Sequence, residues 1–213
     1  MTIIIAVVSQ KGGVGKSTLV RALAKSAADN RMKVKVADLD TQQATTMNWH
    51  RRRLDHGFDP VGSFEVFRSS DQALDSCSKD VDLLIIDAPA RASKGTRAIA
   101  EQADMVIQPT GASLDDLEPA ILVFHEMVKH KIPRSKLAFA LSRIGTDAEY
   151  NDCREYLAQT GYAVLDGCIP EKPAYRQTQN VGLSILETRY STLNDKADVL
   201  LQSLVKRLEG LLG

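Results

Sequence analysis

Ile3-Ile4-Ile5-Ala6-Val7-Val8-Ser9-Gln10-Lys11-Gly12-Gly13-Val14-Gly15-Lys16-Ser17-Thr18 decides the architecture. A short β-branched run breaks into a polar, glycine-rich turn. An amphipathic stretch follows over residues 17–29, with Leu19, Val20, Leu23, Ala24 and Ala27 on one face. Strand, tight loop and helix in that order are the setting of a phosphate-binding loop. Glycines let the backbone turn and approach phosphate oxygens closely. Successive N–H groups and the helix N-terminus supply partial positive charge. Lys16 adds a full charge for β and γ phosphates, and the Ser17 hydroxyl suits Mg²⁺. Gly12, Gly13, Val14, Gly15 and Thr18 complete the nucleotide-binding residues expected here.

Outward from this loop, further apolar runs recur at residues 34–37, 83–86, 105–107, 137–141 and, less clearly, 163–169. Amphipathic stretches separate them. Residues 114–130 place Leu117, Ile121, Phe124 and Val128 on one face, and Thr146-Asp147-Ala148-Glu149 is a capping-box pattern opening a helix through Leu157. The alternation predicts an α/β fold, an open and mostly parallel sheet with helices on both faces, in one domain spanning 1–213.

Two runs end in acids. Val36-Ala37-Asp38-Leu39-Asp40 puts Asp38 and Asp40 at the carboxyl edge of the second run, where open α/β sheets bind ligands. Spaced two apart in an extended strand, they share a face. Such a pair can orient an attacking water and influence a magnesium shell, or Asp40 or Thr41 can cap a helix. Leu83-Leu84-Ile85-Ile86-Asp87 reads as a buried strand delivering Asp87 to the ion held by Ser17.

Composition narrows the alternatives. Lys+Arg and Asp+Glu are both 27, so no global basic field draws the chain to nucleic acid, and any such surface must be local. Cys77, Cys153 and Cys168 are widely spaced, which suggests neither zinc site, iron–sulfur cluster nor disulfide framework. The first apolar run is too short to span a bilayer and no basic residue precedes it, so a cytoplasmic protein is expected. His50, His56, His125 and His130 lack metal spacing and read as surface or boundary residues.

One departure in the loop is informative. The general pattern G-x-x-x-x-G-K-[ST] has Gly where this chain has Gln10, and Lys11 stands just before Gly12. This resembles the deviant Walker A box of the ParA/MinD family of P-loop ATPases. The resemblance extends from about Thr2 to Leu212 and is specific at three motifs. It implies that Lys11 reaches the nucleotide of a second subunit, making ATP-dependent homodimerisation part of the expectation. Lys11, Lys16 and Asp40 would be catalytic, with Asp40 next to the attacking water. Ser17, Asp40 and Asp87 would surround Mg²⁺. Asp38 joins the nucleotide site. Arg143 and Pro170 would flank adenine, although Glu171 stands where the family often has Arg. Ala88-Pro89-Ala90 resembles a switch loop, and residues 181–186 a family stretch of Gly plus short hydrophobic segment.

Two functions follow from the resemblance. The first is a slow ATPase that binds DNA non-specifically and is stimulated by a ParB-like or other small adaptor, partitioning or positioning a cargo. Candidate DNA contacts are Arg176, Arg189, Lys206 and Arg207, with Lys129, Lys131, Arg134, Lys136 and the Arg51-Arg52-Arg53 run also basic. The second is a MinD-like positioning ATPase held to a membrane by the amphipathic residues 204–212, a segment that otherwise packs as a last helix. A metabolic ligase of the same architecture would need a larger substrate domain.

Overall fold

The computed structural model describes residues 2–77, 80–89 and 94–213. Seven strands form one sheet: β1 (Ile3–Val7), β2 (Val34–Asp38), β3 (Ser63–Val66), β4 (Leu83–Asp87), β5 (Met105–Thr110), β6 (Leu137–Ile144) and β7 (Ala163–Pro170). Their order is β3-β2-β4-β1-β5-β6-β7, and every pairing between neighbours is parallel. The helices are α1 (Lys16–Asp29), α2 (Thr45–Asp55), α3 (Ser70–Asp75), α4 (Lys94–Gln102), α5 (Leu114–Lys129), α6 (Asp147–Ala158), α7 (Pro173–Asn180) and α8 (Ser191–Leu212).

The central strands alternate their side chains between two cores. Ile5, Val7, Leu83 and Ile85 pack under α1, α2, α7 and α8. Ala6, Val8, Leu84 and Ile86 pack under α4, α5 and α6. Both faces are therefore covered, which is why these strands read as continuous apolar runs. Adjacent strands β1 and β4 send their following helices to opposite faces. That divergence opens a crevice at their carboxyl ends, the ligand edge of such sheets.

The capping box at α6 is present with a shift: Thr146 Oγ1 accepts from the Glu149 N–H at 3.2 Å, while the Glu149 carboxylate accepts from the Gly145 N–H. Residues 204–212 are the end of α8, and Leu204 and Leu208 are buried in the α1/α8 core. Among the described residues no helix is long and apolar enough to cross a membrane. His50 is neither surface nor boundary: it is buried, with its ring stacked on Phe64 at 4.1 Å, because α2 lies over the edge strand β3.

Candidate functional site

The loop between β1 and α1 is shaped by its own backbone chemistry. Ser9 Oγ accepts from the Lys11 N–H at 3.0 Å and donates to the Lys11 carbonyl at 2.9 Å, closing a local turn. Gly13 and Gly15 have φ of 80° and 97°, in the left-handed region. At Gly15 a Cβ would also collide with the Ser142 hydroxyl, so this position needs glycine twice over. Nothing lies within 4 Å of a Cβ built on Gly12, which leaves its backbone open to a ligand. Val14, within the loop, is buried.

A cavity of about 310 Å³ opens above this loop, lined by its glycines, by Lys16, Ser17, Thr18 and Arg21 of α1 and, across the crevice, by Asp40 and Asp87. Strand register sets the acids: Asp38 on β2 pairs with Asp87 on β4, and Val7 of β1 also pairs with Asp87. Asp87 is buried, and that burial pushes its carboxyl up to about 6, with hydrogen bonds from Thr46 and Ser17 pulling the other way. Lys16 is pulled below the usual lysine range by burial, against the attraction of Asp87 and Asp40. The donors that converge here are hard oxygens, a hydroxyl and two carboxylates, which suit Mg²⁺ sharing its shell with phosphate. Among the described residues no cluster of three His, Cys, Asp or Glu side chains forms a self-sufficient metal site.

Asp38 and Asp40 do not share a strand face. β2 ends at Asp38, and the chain turns before Asp40. Asp38 is buried and accepts from the N–H groups of Asp40, Thr46 and Met47 at 3.0, 3.0 and 3.3 Å. It therefore lies beneath the cavity and ties down the loop and the start of α2. Asp40 lines the cavity and also closes an Asx-type turn, its Oδ1 accepting from the Gln42 and Gln43 N–H groups.

Two residues that the sequence reading missed complete this arrangement. Thr46 has no solvent exposure; its hydroxyl donates to Asp87 Oδ2. Arg21 is buried one turn along α1 from Ser17 and donates to Gln179 Oε1 at 2.8 Å and to the Thr45 carbonyl at 2.9 Å. The available signal was a charged residue set within the apolar face of α1. Replacing Thr46 with Val removes a donor from a buried carboxylate, so Thr46→Val is expected to lower unfolding free energy by about 1–3 kcal/mol in urea denaturation. Thr46→Ser keeps the donor and should recover most of that loss.

A second cavity of about 250 Å³ adjoins the first, lined in part by Gly13, Ser142, Arg143, Ile169, Pro170 and Tyr175. The structure thus brings Arg143 and Pro170 together beside the loop. Arg143 sits at φ 61°, at a register shift of the β6–β7 ladder. Its Nε donates to Glu171 at 2.8 Å and its Nη1 to the Gly13 carbonyl at 3.2 Å. Arg176 donates to the other oxygen of Glu171 at 2.6 Å. Glu171, at the place of the expected Arg, bridges two arginines at the cavity mouth, one carboxylate against two cations.

A model of the CobQ/CobB/MinD/ParA nucleotide-binding domain matches residues 5–185, and the strand–loop–helix geometry above is what that match covers. The chain belongs to this nucleotide-binding family. No curated protein sequence matches it significantly. Solved structures of similar fold include the septum site-determining protein MinD with Mg-ADP from Pyrococcus horikoshii, at 19% identity and TM-score 0.77, covering 100% of this chain and 99% of that one. A putative plasmid partition protein of Borrelia burgdorferi bound to AMPPNP is 17% identical, with TM-score 0.72 and coverage of 97% and 100%. An ATP complex of a Cyanothece McdA variant is 15% identical, with TM-score 0.71 and coverage of 96% of both chains. At these identities the likeness establishes the fold.

Other expected residues of this family member divide. Pro89 is described, whereas Ala90 lies outside the described residues. In the stretch 181–186, Gly182 has φ 86°, and a Cβ there would collide with the Arg53 backbone. Arg53 is buried and paired with Glu187 at 2.8 Å, so Arg51, Arg52 and Arg53 do not form one surface cluster. Lys136 is committed to the Ala103 carbonyl, Lys129 pairs with Glu126, and Arg134 lies over the Tyr162 ring. Lys131 and Lys206 are exposed. Arg189 covers the exposed Tyr190 ring at 4.8 Å, while Arg207 folds back to donate to the Ser135 carbonyl.

Proposed function

We propose that this chain binds ATP with Mg²⁺, closes as an ATP-sandwich homodimer and hydrolyses ATP slowly. The dimer holds DNA non-specifically, and a ParB-like or other small adaptor stimulates hydrolysis, releasing it during partition or positioning of a cargo. The observation that carries this reading is the placement of Lys11. Its side chain is half exposed, and it lines neither its own phosphate cavity nor the adjoining one. A lysine beside the loop yet outside its own cradle is placed to serve another subunit's nucleotide once it leaves its own-chain partner, Asp116.

The roles of the other residues follow from their places. The loop N–H groups and Lys16 bind and orient the β and γ phosphates. Ser17, Asp87 and Asp40 would hold Mg²⁺, which would supply charge neutralisation on the phosphate oxygens. Asp40 lines the cavity opposite Lys16 and orients the attacking water. Arg143 and Pro170 present a planar cation and an apolar wall to the base. For DNA, Arg189 and Lys206 retain outward charge, Arg176 is paired with Glu171, and Lys172 and Arg189 share one shallow depression.

The deciding variant is Lys11→Ala. It is expected to keep ATP affinity, to weaken dimerisation about 10³-fold (about 2 kcal/mol for each of the two interfacial charge-assisted contacts a symmetric dimer loses) and to lose DNA binding with it. The measurement is light scattering with a non-hydrolysable ATP analogue, followed by binding to random-sequence duplex at several salt concentrations. Two aligned patches double the phosphate contacts, and each contact adds about −0.9 to the logarithmic salt slope. DNA binding by an ATP-free monomer breaks the link. Absence of DNA binding, with ATP-dependent liposome sedimentation lost on truncation after Leu204, moves the assignment to the membrane-positioning alternative.

A further inference from the structure

Lys11 is not idle in the single subunit. Its ammonium forms an ion pair with Asp116 Oδ1, and the Asp115 carbonyl lies 3.5 Å away. Asp116 stands in the first turn of α5, where the helix N-terminus favours a carboxylate whether or not a cation is present. Its side chain is 19% exposed, against 49% for Lys11. The carboxylate is seated over Gly111: a Cβ at Gly111 would collide with Asp116 Oδ2. Gly111 is not in the left-handed region, so its lack of a side chain here serves space rather than backbone conformation.

We propose that Asp116 is a brake on assembly: seated over Gly111, it holds the Lys11 ammonium on its own subunit and so sets the affinity of the ATP-bound dimer. The inference rests on the reading of Lys11 as a contact to the second subunit's nucleotide. A Lys11 held in cis is unavailable in trans, and the apparent affinity falls by the fraction that is free. An ion pair this exposed holds its lysine by no more than about fivefold. A symmetric dimer must release two such lysines, so the factor enters twice. The Asp116 carboxylate left behind is stabilised by the helix N-terminus and solvent, which keeps the release cheap.

The test is a double-mutant cycle on the full chain, reading the dimer dissociation constant in a non-hydrolysable ATP analogue with Mg²⁺. Asp116→Asn keeps the shape and removes the charge. It is expected to tighten the dimer about four- to 25-fold at low salt, from two- to fivefold per subunit. The gain should shrink as salt screens the wild-type pair. Gly111→Ala, which displaces the carboxylate without removing it, should shift the constant in the same direction. In a Lys11→Ala background Asp116→Asn should change nothing. Removing the charge also withdraws an attraction from the Arg143 guanidinium, and the Lys11→Ala background separates that effect from the brake. An unchanged constant in Asp116→Asn, or the same tightening without Lys11, overturns the brake while leaving the dimer intact. A wild-type chain that never dimerises with the analogue overturns the dimer reading and the brake with it.

Discussion

Lys16→Ala should lower ATP turnover by about 10²–10³ or more, the cost of removing a preorganised charge aimed where phosphoryl charge develops. Lys16 is the first residue of α1, just after the left-handed Gly15, so the helix start directs its side chain into the loop's own cavity. Partial burial depresses the ammonium, and Asp87 and Asp40 hold it up. Arginine would not substitute, because its broad planar fork does not match a compact point charge. Phosphate release and titration with a fluorescent ATP analogue check the outcome together. Wild-type affinity and rate in this variant would detach the loop from the chemistry altogether.

Much of this architecture was legible because the signals were local. The run at residues 3–8 and the glycine pattern beside it specify strand, loop and helix without help from distant residues. Central strands buried on both faces announce themselves as apolar runs, as β4 does with Leu83, Leu84, Ile85 and Ile86. β3 carries no such signal. Ser63-Phe64-Glu65-Val66 is four residues at the sheet edge with only Phe64 buried, so neither a run nor a long alternation forms. The acids show the same division. Asp87 was legible as the end of a run, but its neighbour across the ladder is Asp38, and register between β2 and β4 is a property of the sheet. The support role of Asp38 depends on Thr46 and Met47, eight and nine residues later, and on an α2 start whose N-cap residue, Ala44, has φ 43° and no capping side chain. No capping residue marks that start. Lys11 and Asp116 are 105 residues apart, so their pairing is invisible in any window of sequence.

Asp40→Asn separates two duties that Asp40→Ala would remove together. The Asp40 side chain closes the turn through the Gln42 and Gln43 N–H groups, and its backbone carbonyl accepts from Ala44 at 2.7 Å. An asparagine keeps an oxygen acceptor for that turn. It cannot accept a proton from the attacking water or hold it with a full negative charge. Asp40→Asn should therefore retain ATP, remain dimeric and lose about 10²–10⁴ of the hydrolysis rate, the usual span for a positioned acid–base group. Asp40→Ala should lose as much turnover and also loosen the 40–44 turn, which sits on Asp38 and abuts the Asp87 hydrogen-bond network through α2. The contrast is the measurement: single-turnover phosphate release for chemistry, and light scattering with ATP for the accumulated dimer. Retained dimer with lost chemistry in both variants assigns Asp40 to the water. Full turnover in Asp40→Asn leaves it only the turn.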